Sequence, residues 1–113
     1  MKEKLSELIA ALKNGTAKFA DVISFIETYY NYQPVAFKNG DIYNEASQNQ
    51  GSAKVFTFAK FNNLSKQETL QLFAEHYQTV INTPGETDHQ NIRQFMANGW
   101  AGISFDGIAL TSK

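Results

Sequence analysis

Asp88, His89, Asn91 and Arg93 place a carboxylate, an imidazole, an amide and a guanidinium within six residues at a helix start. At about 100° per residue, Asp88 falls over the face that carries Ile92 and Phe95, and His89 and Arg93 share its flank. Such a cluster could move protons or hold an anion. Helix capping accounts for the same residue types. Asp in a first turn offsets the helix dipole, and Thr87 with Gln90 reads as a capping box. Adjacent Asp and His side chains diverge by about 100°, so as a metal pair they need a ligand from elsewhere. His76, beside Glu75, is the only other histidine; between Phe73 and Val80 it reads as a half-buried packing residue. If His76 and His89 converged with Asp88 or Glu86 a metal site could be built, but no spacing motif supports it, so no metal is expected.

A second group lies in the amide-rich stretch 44–52, read as a loop. Gln48, Asn49, Ser52 and Lys54 are its candidate ligand contacts, and turn capping is the competing explanation. A cleft that gathers this stretch with residues 88–93 would favour a small enzyme or anion-binding protein. A helix end packed shut would favour capping alone. No Ser-His-Asp order, phosphate loop or zinc signature occurs in the chain.

The elements that must position these groups follow from periodicity. Leu5, Leu8, Ile9 and Leu12 mark a first helix that Asn14-Gly15 stops. Phe19, Val22, Ile23, Ile26 and Tyr30 mark a second that runs toward Pro34. Val35 to Tyr43 reads as a β-hairpin turning at Asn39-Gly40, with Phe37 opposite Ile42 and Lys38 opposite Asp41. Lys54 to Phe61 echoes an RNA-binding strand, but Val55 and Thr57 replace the small residues of that signature, no earlier strand offers a partner aromatic and the helical elements come in the wrong order; a buried helix fits better. Ser65 and Glu68 form a capping box opening a helix through Leu70, Phe73, Tyr77, Val80 and Ile81. A helix from Thr87 ends at Gly99, which as a left-handed C-terminal residue would bring Trp100 onto Phe95. Ile103 to Leu110 reads as a second hairpin around Asp106-Gly107, pairing Phe105 with Ile108 and Ile103 with Leu110. The expected fold is α+β: about five helices and two β-hairpins in a single domain.

Composition narrows the function. The 113 residues suit one domain with one core. With no cysteine there is no thiol chemistry or disulfide. The net charge is −1, Arg93 is the only arginine, and charges are scattered singly, which argues against nucleic acid as a partner. No apolar run approaches the roughly 18 residues of a membrane span, and Lys2-Glu3-Lys4 with Leu8 to Leu12 is too short for a signal peptide.

Three segments carry a resemblance. They are Pro34-x-Ala36-Phe37-x-Asn39-Gly40; Asn44 to Ala59, with Gln48-Asn49 and Gly51-Ser52-x-Lys54 inside it; and Asp88-His89-Gln90-Asn91-Ile92-Arg93 followed by Phe95-Met96 and Gly99-Trp100-Ala101-Gly102. With them the chain from about Phe19 to Lys113 resembles the HopJ family of small bacterial proteins, named after a type III effector of a plant pathogen. Ser47 stands where the family usually has glycine, and Ala53 where cysteine is common. The resemblance implies a bacterial cytoplasmic protein, delivered to a host cell if the family name applies, and supplies no reaction, catalytic residue or cofactor. The N-terminus reads as regular helix, unlike a flexible secretion leader. The expectation is therefore a non-enzymatic binding or regulatory protein with no cofactor, acting on a protein partner or a small polar ligand. The alternative is a small enzyme or anion-binding protein built on Asp88, His89, Asn91 and Arg93.

Overall fold

Apolar residues at helical spacing wind into helices where expected, although the computed structural model, described from Lys2 to Lys113, divides them differently. α1 (Lys2–Lys13) buries Leu5 and Leu8, and α2 (Phe19–Tyr29) buries Val22 and Ile26. α2 stops earlier than Pro34 requires, because Tyr30–Tyr32 leaves as strand β1. α3 (Gln50–Phe61) is the buried helix foreseen for the aromatic run, with Val55, Phe56 and Phe58 fully enclosed. It starts inside the expected loop, so residues 50–52 are helical.

The Ser65–Glu68 capping box forms: the Glu68 amide donates to Ser65 Oγ at 3.1 Å, and the Ser65 amide donates to Glu68 Oε1 at 2.9 Å. The single helix expected beyond it is broken into α4 (Lys66–Gln71) and α5 (Glu75–Asn82), which makes six helices among the described residues. Ala74 at the break has φ 51° and ψ −122°, outside the helical region. Leu72 and Phe73, at the break, are both buried. α6 spans Gln90–Asn98 and is entered from His89, so Thr87 is not its cap. Gln90 Nε2 donates instead to the Thr87 carbonyl.

Strands β2 (Phe37–Asn39) and β3 (Ile42–Asn44) form the first hairpin with its turn moved one residue along. Phe37 lies opposite Asn44 and Asn39 opposite Ile42, leaving Gly40-Asp41 in the loop. Asn39 is a strand residue because its side chain is buried and hydrogen-bonded to α6. Gly40 has φ +58°, and a Cβ there would sit 2.2 Å from Gln94 Oε1. Glycine takes this positive φ without strain and leaves room for the Gln94 side chain, whose Oε1 accepts the Asp41 amide.

The second hairpin does not form. After a 3₁₀ turn at Gly99–Gly102, β4 (Ile103–Phe105) joins the other edge of β2, giving the order β3-β2-β4, and β5 (Leu110–Ser112) pairs with β1. Cross-strand packing explains the choice: Phe37 and Phe105 are register partners with rings stacked 4.7 Å apart, and Leu110 is buried opposite Tyr32. Local turn chemistry offered less burial than these distant partners.

Phe56 sits at the centre of the core, its ring 5.0 Å from Phe95, 5.4 Å from Phe73, 6.1 Å from Phe37 and 6.4 Å from Trp100. Trp100 does pack on Phe95, edge to face at 5.0 Å. Gly99, with ψ −153°, is not the left-handed cap expected there, and Trp100 remains half-buried with its Nε1 donating to the Leu64 carbonyl at 3.3 Å.

Candidate ligand cleft

Three helices begin around one cleft of about 360 Å³. Gly51 and Ser52 come from the first turn of α3, His76 from that of α5, and Gln90 and Asn91 from that of α6. Each helix is entered through a residue with positive φ: Asn49 at 49°, Ala74 at 51° and His89 at 51°. Asn and His enter the left-handed region more readily than most residues. Ala74 does not, and its conformation costs roughly 1–3 kcal/mol. The cleft is completed by Phe19, Ile42, Phe73 and Ile92 as apolar lining.

A buried asparagine network holds two of these helix starts in place. Asn39 Nδ2 donates to the Asn91 carbonyl (2.8 Å) and to Asn91 Oδ1 (3.0 Å). Asn91 Nδ2 donates to Asn44 Oδ1 at 2.9 Å, and Asn44 Nδ2 returns to Asn91 Oδ1 at 3.2 Å. Asn49 Nδ2 donates to the same Asn44 oxygen at 2.7 Å. The hairpin β2–β3 is thereby bonded to the start of α6 and to the residue that opens α3. Asn91, from the sequence cluster, thus lines the cleft and also anchors it.

The histidines converge. The His76 and His89 rings lie 5.1 Å apart, and Phe19 meets His76 edge to face at 4.9 Å. His76 is half-buried and packed, as expected, and it also faces the cleft. Among the described residues no third His, Asp or Glu completes a metal-holding group with them. Glu75 ties α5 to α2 by accepting the Phe19 amide at 2.7 Å. Desolvation pushes the Glu75 carboxyl up, but the Phe19 amide, its own amide, His76 and Lys18 together hold it below its ordinary value.

The rest of the sequence cluster is elsewhere engaged. Arg93 donates through Nη2 to Asp88 Oδ1 at 2.6 Å, through Nε to the Asp88 carbonyl, and through Nη1 to the Thr83 carbonyl at 2.9 Å. It fastens the segment between α5 and α6. The hydrogen bond from Arg93 holds the Asp88 carboxyl below its usual range, against desolvation and with help from the charges of Arg93 and His89. Asp88 Oδ2 stands 3.8 Å from His89 Nε2. In the other candidate group, Asn49 and Ser52 line the cleft, whereas Gln48 and Lys54 do not. Gln48 Oε1 accepts the Glu45 amide, and Lys54 pairs with Glu27 at 2.9 Å beneath the Tyr32 ring. His76, Gln90 and Phe19 complete the site and were absent from both groups. The amide-rich entry to α3 was the available signal, because Asn accepts a left-handed cap.

The HopJ type III effector protein family matches residues 5–110, nearly the whole chain. This chain belongs to the HopJ family. The match takes in α1, which the three sequence segments left out. This HopJ protein is also similar to a solved structure described as that of unknown function protein VPA0580. The two are 41% identical with a TM-score of 0.89, over 96% of this chain and 93% of the other. No curated protein matches the sequence. Among the described residues no helix is long and apolar enough to cross a membrane.

Proposed function

We propose that this protein is a non-enzymatic binding protein whose ligand is a small anion with an apolar part, held in the cleft between α3, α5 and α6. The observation that carries this reading is the meeting of residues 49–52 with His89, Gln90, Asn91 and His76. First-turn amides have no acceptor within their own helix, and helix N-termini favour negative charge. Two imidazoles add hydrogen-bond donors, and Phe19, Phe73 and Ile92 supply apolar contact. A few convergent polar groups on an apolar wall is the usual make-up of a small-ligand site. Catalysis is less well supported, because Arg93 and Asp88 are committed to each other and no hydrogen bond joins Ser52 to an imidazole among the described residues.

Titration of the ¹⁵N-labelled protein with inorganic phosphate, acetate and benzoate tests the reading. The Gly51, Ser52, Gln90 and Asn91 amides should shift together, benzoate should bind most tightly, and melting temperature should rise with ligand concentration. His76→Ala and His89→Ala should each weaken binding without unfolding the protein. Shifts scattered over the surface, or unchanged affinity in both variants, would defeat it. The bacterial cytoplasm is the proposed site of synthesis, and type III delivery is what the family description suggests. Recovery from culture medium of a strain with an intact secretion apparatus, and not from one without it, would test delivery.

A further inference from the structure

Ile103–Phe105 and Ile108–Leu110 are patterned to pair with each other, yet Ile103–Phe105 pairs with β2, and Leu110, as the start of β5, pairs with β1. The register shows which backbone groups this leaves free. The Gly40 amide donates to the Gly102 carbonyl and the Asp106 amide to the Ala36 carbonyl, so Lys38 and Ser104 form the hydrogen-bonded pair between them. Hydrogen-bonded and non-bonded pairs alternate along an antiparallel ladder. The N–H and C=O of Ile103 and Phe105 therefore point away from β2; the Ile103 amide is taken by the Trp100 carbonyl, which leaves the Ile103 carbonyl and both groups of Phe105. On the β1–β5 ribbon the Gln33 amide donates to the Ala109 carbonyl and the Lys113 amide to the Tyr29 carbonyl, so the N–H and C=O of Leu110 point away from β1.

Both segments line a single groove of about 470 Å³ against α3. Two large apolar side chains of that lining are left in solvent, Phe61 at 53% exposure and Ile108 at 75%. Lys60 is its one charged residue.

We propose that this groove receives an extended apolar peptide of a partner protein, which adds as a strand to the free edge of β4. The peptide hydrogen-bonds the Ile103 carbonyl and both backbone groups of Phe105, covers Phe61 and Ile108 with alternate side chains, and sets a carboxylate on Lys60. The chemistry of the occupant follows from the edge. Outward N–H and C=O groups at strand spacing are satisfied by another strand, whereas a helix presents no free backbone row and a compact ligand cannot span it. A second copy of this chain fits less well, because a twofold edge-to-edge pairing brings Lys60 toward its own symmetry mate.

The probe is a peptide of about six residues, alternating valine and threonine with a glutamate at one end, acetylated and amidated. Backbone-driven recognition tolerates sequence, so this probe should bind at millimolar concentration. In amide exchange and ¹⁵N spectra of the full chain, the Phe105 amide should shift and gain protection, while the protection of the already bonded Ile103 and Ser104 amides stays unchanged. Ile108→Asp, at an exposed position that leaves the core intact, should weaken binding at least about tenfold, or 1.4 kcal/mol. Lys60→Glu should weaken it and favour a peptide carrying lysine in place of glutamate. Absence of any response at millimolar probe overturns the proposal. So does protection of the Phe105 amide without peptide: independent of protein concentration it would mean the hairpin closes in solution, and rising with concentration it would mean a second copy is the occupant.

Discussion

Asn91 and Thr87 stand four residues apart and do opposite things for stability. Asn91 is buried and its side chain is bonded to both Asn39 and Asn44, so Asn91→Ala removes three buried side-chain hydrogen bonds, while Asn39 keeps the backbone carbonyl of residue 91 and Asn44 keeps Phe37 and Asn49. Each buried hydrogen bond contributes roughly 0.5–1.5 kcal/mol, so a loss of about 1.5–4.5 kcal/mol is expected in urea denaturation. Thr87→Ala should stay within about 0.5 kcal/mol, since only its backbone carbonyl is used. Arg93 makes its contribution through charge. Asp88 has its folded pKa depressed by Arg93, so the stability from this pair is present above the unfolded carboxylate pKa. It is lost as pH falls through the folded value. Arg93→Ala should therefore destabilise at neutral pH, and the gap from wild type should narrow in acid. Carboxyl NMR should show Asp88 titrating at higher pH in the variant; an unmoved Asp88 would mean the ion pair is not made in solution.

At the scale of elements, the break between α4 and α5 is where the chain is locally least satisfied. Ala74 holds φ 51° with ψ −122°, a region in which only glycine is unstrained. Ala74→Gly should remove roughly 1–3 kcal/mol of strain against roughly 0.5–1 kcal/mol of added chain entropy. A net gain is expected, seen as a higher urea midpoint with unchanged slope. Because His76 lies two residues on, a looser turn should also weaken anion binding in the cleft even as stability rises. A fall in stability would indicate that the turn is not strained.

Over the whole molecule, the core converges on Phe56, whose ring meets aromatic side chains from β2, the α4–α5 turn, α6 and the 3₁₀ turn. Phe56→Ala should cost about 3–5 kcal/mol. It should also red-shift the emission of Trp100, which lies at the edge of that cluster. Trp100→Ala should cost less, because the indole is only half-buried. Equal losses for the two variants would place the centre of the core nearer Trp100.

The sequence by itself determined what depends on near neighbours. The spacing of Leu5 and Leu8, of Val22 and Ile26, and of Phe95 among its apolar companions specifies helices, and Ser65 with Glu68 specifies a cap, because each is a matter of three or four residues along one turn. The Asn39-Gly40 hairpin was legible for the same reason, and only its register needed correction. The α+β class and the HopJ resemblance followed. Tertiary structure decided the rest. Asn39 shifted the first turn because its amide finds Asn91, far along the chain. The second hairpin lost to Phe37 and Tyr32, which offered Phe105 and Leu110 more burial than Asp106-Gly107 could. Of the polar cluster, His89 and Asn91 entered the cleft while Asp88 and Arg93 closed on each other and on Thr83. His76 joined the site only because the chain breaks at Ala74. Periodicity shows which residues must be buried and capped, but side chains distant in sequence compete for the same partners, and only the packed chain settles that competition.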